Sequence, residues 1–292
     1  MKIAKWKDYE IIATGNGEKL ERWASVVLLR PDPQVIWPSE FDLSKYKGLN
    51  AHYFRSEKGG GSWNKLSSFP DEWQVGYDSY SGRLNFLVKP MGFKHTGLFP
   101  EQAVNWDFMQ EIIAKKVKEG KEVKVLNLFG YTGGATVACS KAGAEVCHVD
   151  SAKAMVDRCK ENAKLSGCEN NKIRYIVDDC EKFVAREIKR GNKYDIIIMD
   201  PPSFGRGPNG EVWKLEEKLF TLVANCVKVL TQKPILFLIN SYTTGLQPMV
   251  LKNILQKNLK GFAGSFDAYE VGIATDEEIT LPCGASGVFV GE

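Results

Sequence analysis

Apolar and polar positions along the 292-residue chain follow two rhythms, divided near Pro90. From Tyr9 to about Lys89, short apolar or aromatic segments (Ser25 to Leu29, Val35 to Trp37, Trp73 to Tyr77, Leu84 to Val88) alternate with turn formers such as Asn16-Gly17 and Ser81-Gly82. Runs this short between Gly, Asn and Ser predict a small β-rich unit over residues 1–89. Gly59-Gly60-Gly61 reads as a flexible loop within it. Beyond Pro90 the segments lengthen and strands begin to alternate with helices. A helix is predicted from Pro100 and Glu101 to about Lys118, then a strand Val123 to Phe129, a helix from Ala135, a strand Glu145 to Val149 and a helix Lys153 to Ser166. A strand Ile173 to Val177, a helix Glu181 to Lys189, a strand Tyr194 to Met199, a helix Leu215 to Leu230 and a strand Ile235 to Ile239 follow. This alternation predicts an α/β domain over residues 90–292, a mostly parallel seven-stranded sheet with helices on both faces. The tail from Phe266 to Val290 reads as an antiparallel hairpin at the sheet edge.

Composition narrows the class without naming a partner. A 43% hydrophobic content fills a core, and 39 basic against 36 acidic side chains leave a net charge of only +3. Seven scattered cysteines lack any Cys-x-x-Cys pair, and only three histidines accompany them, so neither a disulfide framework nor a metal site is expected. The charged N-terminus and the lack of a 20-residue apolar run predict neither a signal peptide nor a membrane span, and the expected compartment is the reducing cytoplasm. Trp23, Trp37, Trp63 and Trp73 concentrate in the first domain, either as core or as a stacking platform for a base.

Three strand ends carry the candidate cofactor chemistry. The strand through Asn127 breaks at Phe129-Gly130-Tyr131-Thr132-Gly133-Gly134 into a glycine-rich turn that opens a helix, which lets backbone approach a ligand. The next strand ends in Asp150, 20 residues beyond Gly130 and followed by Ser151, where a carboxylate can accept both hydrogen bonds of a ribose diol. A third ends in Asp178-Asp179, with Asp179 placed to reach an adenine amino group. A phosphate-cradling Gly-Lys-Ser/Thr is absent, and the turn lacks the third glycine of a dinucleotide fingerprint.

The fourth strand runs into Asp200-Pro201-Pro202-Ser203-Phe204. Two prolines remove two backbone donors, leaving carbonyls and the Asp200 carboxylate as an acceptor-rich edge for a planar group with N–H donors, and Phe204 is expected to cover that plane. Lys214, Glu216, Glu217 and Lys218 read as a solvated helix face, with Arg206 and Lys214 as candidate phosphate contacts.

Taken together, Asn127 to Gly134, Asp150, Asp179 and Asp200 to Phe204 resemble the motifs of class I S-adenosylmethionine-dependent methyltransferases, which have a Rossmann-like fold. Lys94 to Gln102 resembles the Thr-Gly-x-Phe-x-Asp-Gln segment of the bacterial ribosomal large-subunit RNA cytosine-5 methyltransferase family. The resemblance implies S-adenosylmethionine as cofactor, Gln102 as a cofactor contact, and RNA, foremost ribosomal RNA, as partner. The sequence departs from that family twice. The opening 90 residues look like only the small β-rich domain that follows the family's PUA module. The family's nucleophilic cysteine after the fifth strand is replaced by Asn240-Ser241-Tyr242-Thr243-Thr244-Gly245. Carbon 5 of cytosine needs a thiolate at carbon 6 before it can attack, whereas a nitrogen lone pair needs only alignment with the methyl donor. The expected reaction is therefore in-line transfer to nitrogen. Methylation of a small molecule or protein, or a non-catalytic cofactor-binding module, are the alternative readings.

Overall fold

The computed structural model describes residues 1–56, 60–206 and 212–292, without the side chains of Phe93 and Arg206. Gly59 of the glycine triplet and the expected phosphate contact of Arg206 thus lie outside the described residues. In chain order the N-terminal part forms β1 (Lys2–Ala4), β2 (Tyr9–Gly15), β3 (Glu18–Trp23), β4 (Val26–Pro31), β5 (Leu49–Arg55), β6 (Gly61–Lys65), β7 (Trp73–Ser79) and β8 (Gly82–Val88). Strands β2 to β6 pair in sequence order as a five-stranded sheet, and β7 and β8 form a separate hairpin. The β2–β3 turn falls at Asn16 (φ 55°) and Gly17 (φ 81°), residue types that tolerate the left-handed region. Val35 to Trp37 is not a strand; Val35 instead buries its side chain beneath the sheet.

The second part runs α1 (Ala103–Lys118), β9 (Lys124–Leu128), α2 (Gly134–Lys141), β10 (Glu145–Asp150), α3 (Lys153–Leu165), β11 (Ile173–Val177), α4 (Cys180–Arg190), β12 (Ile196–Met199), β13 (Phe204–Arg206), β14 (Val212–Lys214), α5 (Leu215–Val227), β15 (Leu236–Ser241), α6 (Pro248–Leu259), β16 (Gly264–Ala274) and β17 (Thr280–Gly291). The large sheet has the order β1-β16-β17-β15-β12-β9-β10-β11. Its central strands β9, β12 and β15 are almost wholly buried, as a parallel sheet covered on both faces requires. β17 pairs antiparallel with both β15 and β16.

The sheet has eight strands rather than the expected seven, and the β16–β17 hairpin is not its edge. Lys2 to Ala4 adds parallel to Val271 to Ile273 and covers the outer side of β16. The two parts of the chain share one apolar core. Trp106 of α1 meets Trp6, Tyr77 and Phe86 at 6.0, 5.9 and 5.3 Å between ring centroids, and the β8 amides of Asn85 and Leu87 donate to Ser166 Oγ and Asn162 Oδ1 of α3. Trp23 and Trp73 are buried and Trp37 and Trp63 half-buried, so the tryptophans serve chiefly as core. All seven cysteines are unpaired, six of them buried. Among the described residues no helix is long and apolar enough to cross a membrane.

Candidate active site

Strand order reverses direction around β9, with β10 and β11 on one side and β12 and β15 on the other. Ligands of open α/β sheets bind in the crevice outside the strand ends at such a switch point. Here the crevice is an open cleft of about 450 Å³, walled by Phe99, Gln102, Asn127, Phe129 to Thr132, Asp200 and Asn240 among others. A larger space of about 960 Å³ lies at the opposite, N-terminal ends of the strands, around Lys124, Lys172 and Arg174. It holds none of the strand-end motifs, and the switch-point rule favours the first cleft.

The turn after β9 is shaped from below. Gly130 N–H donates to Val149 O and Gly133 N–H to Gly130 O, both at 3.0 Å, while Gly133 (φ 89°) opens α2. A Cβ on Gly130 would strike the His148 ring, one on Gly133 would strike Cys159, and one on Gly134 would crowd Trp106. The glycines are therefore required by protein packing, which presses the turn flat against the sheet. Phe129 (φ 55°) and Tyr131 (φ 50°) carry side chains in the left-handed region, a strain that functional turns retain when their surroundings enforce it. Beneath them Asn127 Nδ2 donates to Thr136 Oγ1 at 2.9 Å, and Thr136 Oγ1 meets His148 Nδ1 at 2.8 Å. Burial depresses His148 to about 4, so its ring is neutral.

Asp150 stands at the end of β10 with Oδ2 accepting from Tyr131 N–H at 2.9 Å and Oδ1 from Ala152 N–H at 2.8 Å. Each carboxylate oxygen keeps a further lone pair for a diol. Ser151 beside it is exposed. Asp179 is the N-cap of α4, accepting from Lys182 N–H at 2.8 Å, and its side chain remains exposed at the rim. Thr132 is tied elsewhere: its hydroxyl donates to Gly97 O at 2.6 Å, and its carbonyl accepts from Asn162. Gln102 is buried with both ends of its amide engaged, Oε1 by Asn105 and Nε2 by Tyr242. These residues fit S-adenosylmethionine in chemistry: a carboxylate for the ribose at Asp150, flanking rings at Phe129 and Tyr131, and a polar floor at Asn127.

The acceptor side gathers at the ends of β12 and β15. Met199 pairs with Ile239, so Asp200 and Asn240 leave adjacent strands side by side. The Asp200 carboxyl is half-buried and makes no side-chain hydrogen bond among the described residues. Burial, with the nearby Glu101 carboxylate, raises it to about 7. Pro201 is buried, and its carbonyl is unclaimed among the described residues, whereas the Pro202 carbonyl accepts from Trp213 Nε1 at 2.6 Å. Phe204, expected to cover the acceptor, is instead 54% exposed on β13 and lies outside the cleft wall. The hairpin to β14 turns it outward and brings Trp213 inward, whose ring meets Phe129 at 5.5 Å. Lys214 pairs with Glu217 at the start of α5.

Sequence reasoning passes over three members of this site. Tyr242 stands where the cysteine of the resembled family would be, and Glu101 lies one residue before Gln102. Trp213 follows a segment with no strand signal. Burial pushes the thiols of all seven cysteines above their ordinary value, so none supplies a thiolate. Cys180 is closer to the cleft than its place at the start of a helix suggests, yet its sulfur only accepts the Phe129 N–H at 3.3 Å.

The comparisons agree with this geometry. A ribosomal RNA large subunit methyltransferase I of Aeromonas hydrophila is 34% identical over 125 residues, 42% of this chain and 30% of that protein. A ribosomal RNA large subunit methyltransferase K of Neisseria meningitidis is 25% identical over 252 residues, 83% of this chain and 67% of that protein. This chain thus spans under a third of the length of the first of these relatives. The crystal structure of the SAM-dependent methyltransferase from Agrobacterium tumefaciens superposes with a TM-score of 0.89 at 31% identity, covering 98% of this chain and 91% of that one. The family model for S-adenosylmethionine-dependent methyltransferases matches residues 50–229, from the small sheet through the Asp200 turn to α5. With more than half of its length matched, the chain belongs to that family.

Proposed function

We propose that the protein transfers a methyl group directly to a nitrogen of RNA, ribosomal RNA foremost, in the cytoplasm. The observation that carries the choice of nitrogen is the end of β15. Asn240, Ser241 and Tyr242 occupy it, and no cysteine thiolate is available to activate a carbon. The ribosomal RNA methyltransferases among its relatives support the choice of RNA. Unpaired, buried cysteines suit a reducing compartment.

S-adenosylmethionine supplies the activated methyl group when bound. Asp150 would hold its ribose, with Ser151 and Asp179 at the rim. Phe129, Gly130, Tyr131, Thr132 and Gly133 would form the turn against it, and Asn127 and Gln102 its floor. Asp200 and the Pro201 carbonyl would accept the N–H groups of a planar acceptor, with Pro202 fixing the turn and Trp213 taking the covering role expected of Phe204. Alignment of this kind supplies on the order of 7–11 kcal/mol in favourable cases. We assign residues 90–292 to the cofactor-binding domain and 1–89 to the substrate side, while noting that β1 is built into the large sheet.

The test is incubation with methyl-labelled S-adenosylmethionine and separate RNA, protein and small-molecule fractions, followed by mass spectrometry of the labelled product. A labelled methyl on a nucleoside nitrogen is the expected result. Label confined to protein or small molecules overturns the substrate.

A further inference from the structure

A chain of side-chain amides leads from the outer strands into the acceptor site. Tyr269 of β16 donates its hydroxyl to Asn105 Oδ1 at 2.7 Å. Asn105 Nδ2 donates to Gln102 Oε1 at 2.8 Å, and Gln102 Nε2 donates to the Tyr242 hydroxyl oxygen at 2.7 Å. Each amide is oriented by the partner behind it, so the Tyr242 oxygen accepts on this side. Its own proton is left to point the other way, toward Glu101 and Asp200, both of which act on it electrostatically.

We propose that Tyr242 and Glu101 act with Asp200 as one proton-accepting unit, which fits the site to an acceptor nitrogen that carries a hydrogen and sheds it on methylation, the chemistry of an exocyclic amino group. The proposal rests on the methyltransferase reading above and deepens it. The acceptor lone pair forms the new N–C bond while the S–C bond breaks and its electron pair returns to sulfur. The nitrogen, now cationic, gives its proton to the Asp200 carboxylate, which passes it to solvent. Asp200 is the catalytic residue; Glu101 and Tyr242 are positioning residues that hold a second negative charge beside it and orient that charge.

A ring nitrogen without hydrogen would set its lone pair against the Asp200 carboxylate and the Pro201 carbonyl and gain nothing from either. The titratable groups acting on Asp200 and Tyr242 are Glu101 from the turn before α1 and Tyr242 and Asp200 themselves; Glu101 in turn faces Lys19 and Arg30 of the small sheet, and Cys283 of β17 faces it. The Asp200 carboxyl, raised to about 7, is poised to change state near neutral pH.

The test follows single-turnover methylation of RNA against pH for the full chain, Glu101→Gln and Tyr242→Phe, with S-adenosylmethionine binding by calorimetry as the control for folding. The rate is expected to rise with pH around a midpoint near 7. Glu101→Gln should move that midpoint down by about one pH unit, because a like charge is removed. Tyr242→Phe should lower the plateau about tenfold while cofactor affinity stays within a factor of about three. The same downward shift should appear, without any substrate, in the carboxyl carbon resonance of Asp200 titrated by NMR. An unmoved midpoint in both measurements, or a plateau unchanged in Tyr242→Phe, overturns the proton-accepting unit. A methylated ring nitrogen or carbon also overturns it, yet leaves RNA methylation standing. Absence of label from RNA defeats the substrate reading instead, and the NMR titration still decides the unit.

Discussion

Asp200 concentrates the chemistry at the scale of a single residue, since it combines a half-buried carboxyl with no internal partner and a place beside Asn240. Asp200→Asn keeps the shape and removes the proton-accepting charge. Its methylation rate should fall by a factor of about 10² to 10⁴ with cofactor affinity nearly unchanged, read by single-turnover kinetics and calorimetry. Unimpaired turnover with intact binding would remove Asp200 from the mechanism. Asp179 is a contrasting case, because as the N-cap of α4 its carboxylate serves the helix as well as the rim. Asp179→Ala should cost about 1 kcal/mol of stability in urea denaturation, whatever it does to cofactor binding. The strand-end acids were legible in the sequence because a carboxylate after a buried run has few other uses. Tyr242 was not, since its role comes from Gln102, 140 residues away in the chain. Phe204 misled for a local reason: the two-stranded ribbon after the prolines reverses which aromatic faces inward.

Elements explain why the glycine-rich turn cannot be altered freely. Gly130 lies over the His148 ring and Gly133 over Cys159, so the turn is clamped between β10 and α3. Gly130→Ala adds one methyl where there is no space. It should cost about 1–3 kcal/mol and weaken the thermal stabilisation given by S-adenosylmethionine, a pair of effects measured by melting with and without the cofactor. An unaltered melting temperature and cofactor shift would show that the turn yields more easily than its packing implies.

The alternating core elements from β9 to α5 were readable because long apolar strands and amphipathic helices differ in period. Lys2 to Ala4 was not readable: three residues carry no periodic signal, and their partner is β16, at the far end of the chain. Helix α6 did leave a signal, Pro248 in its first turn and Leu251, Leu255 and Leu259 spaced by four on its buried face. The small sheet's β5 and β6 are less regular, since β6 is an exposed edge strand with hardly any apolar alternation.

Across the whole molecule, the small sheet is joined to the cofactor cleft by buried charge. Arg30 of β4 forks onto Glu21 of β3, with Nη2 to Oε2 at 3.0 Å, and Glu21 Oε2 also accepts from Tyr9 at 2.8 Å. The third arm, Arg30 Nη1, donates to Lys94 O at 3.1 Å, in the strap whose Gly97 carbonyl receives Thr132 of the cofactor turn. Arg30→Met leaves Glu21 buried without its partner and should cost about 3–5 kcal/mol in chemical denaturation. Because the strap is held from both sides, cofactor affinity should fall in the same variant even at temperatures where it remains folded, as calorimetry would show.

Acid stability of the folded chain reports on the cleft through proton linkage. His148 and His95 are both depressed to about 4 by burial, against about 6.5 in an unfolded chain. Between those values the unfolded state binds two protons that the fold does not. Their contribution to stability is complete above about pH 6.5 and is lost as pH falls toward 4. Asp200 has the opposite sign. With a folded value about 7 and an unfolded one near 3.9, the fold holds a proton the unfolded chain lacks, so its contribution is present at low pH and lost as pH rises through about 7. Over about pH 5 to 6 these three groups leave a net difference of one proton, or roughly 1.4 kcal/mol of lost stability per unit of acidification. Asp200→Asn removes the offset, and the slope should steepen to about 2.7 kcal/mol per unit in the same window. Urea midpoints of the two proteins measured across pH 5 to 6 check this. Parallel slopes would mean that Asp200 remains ionised in the fold, and with that the electrostatic partnership of Glu101 and Asp200 would lose its physical basis.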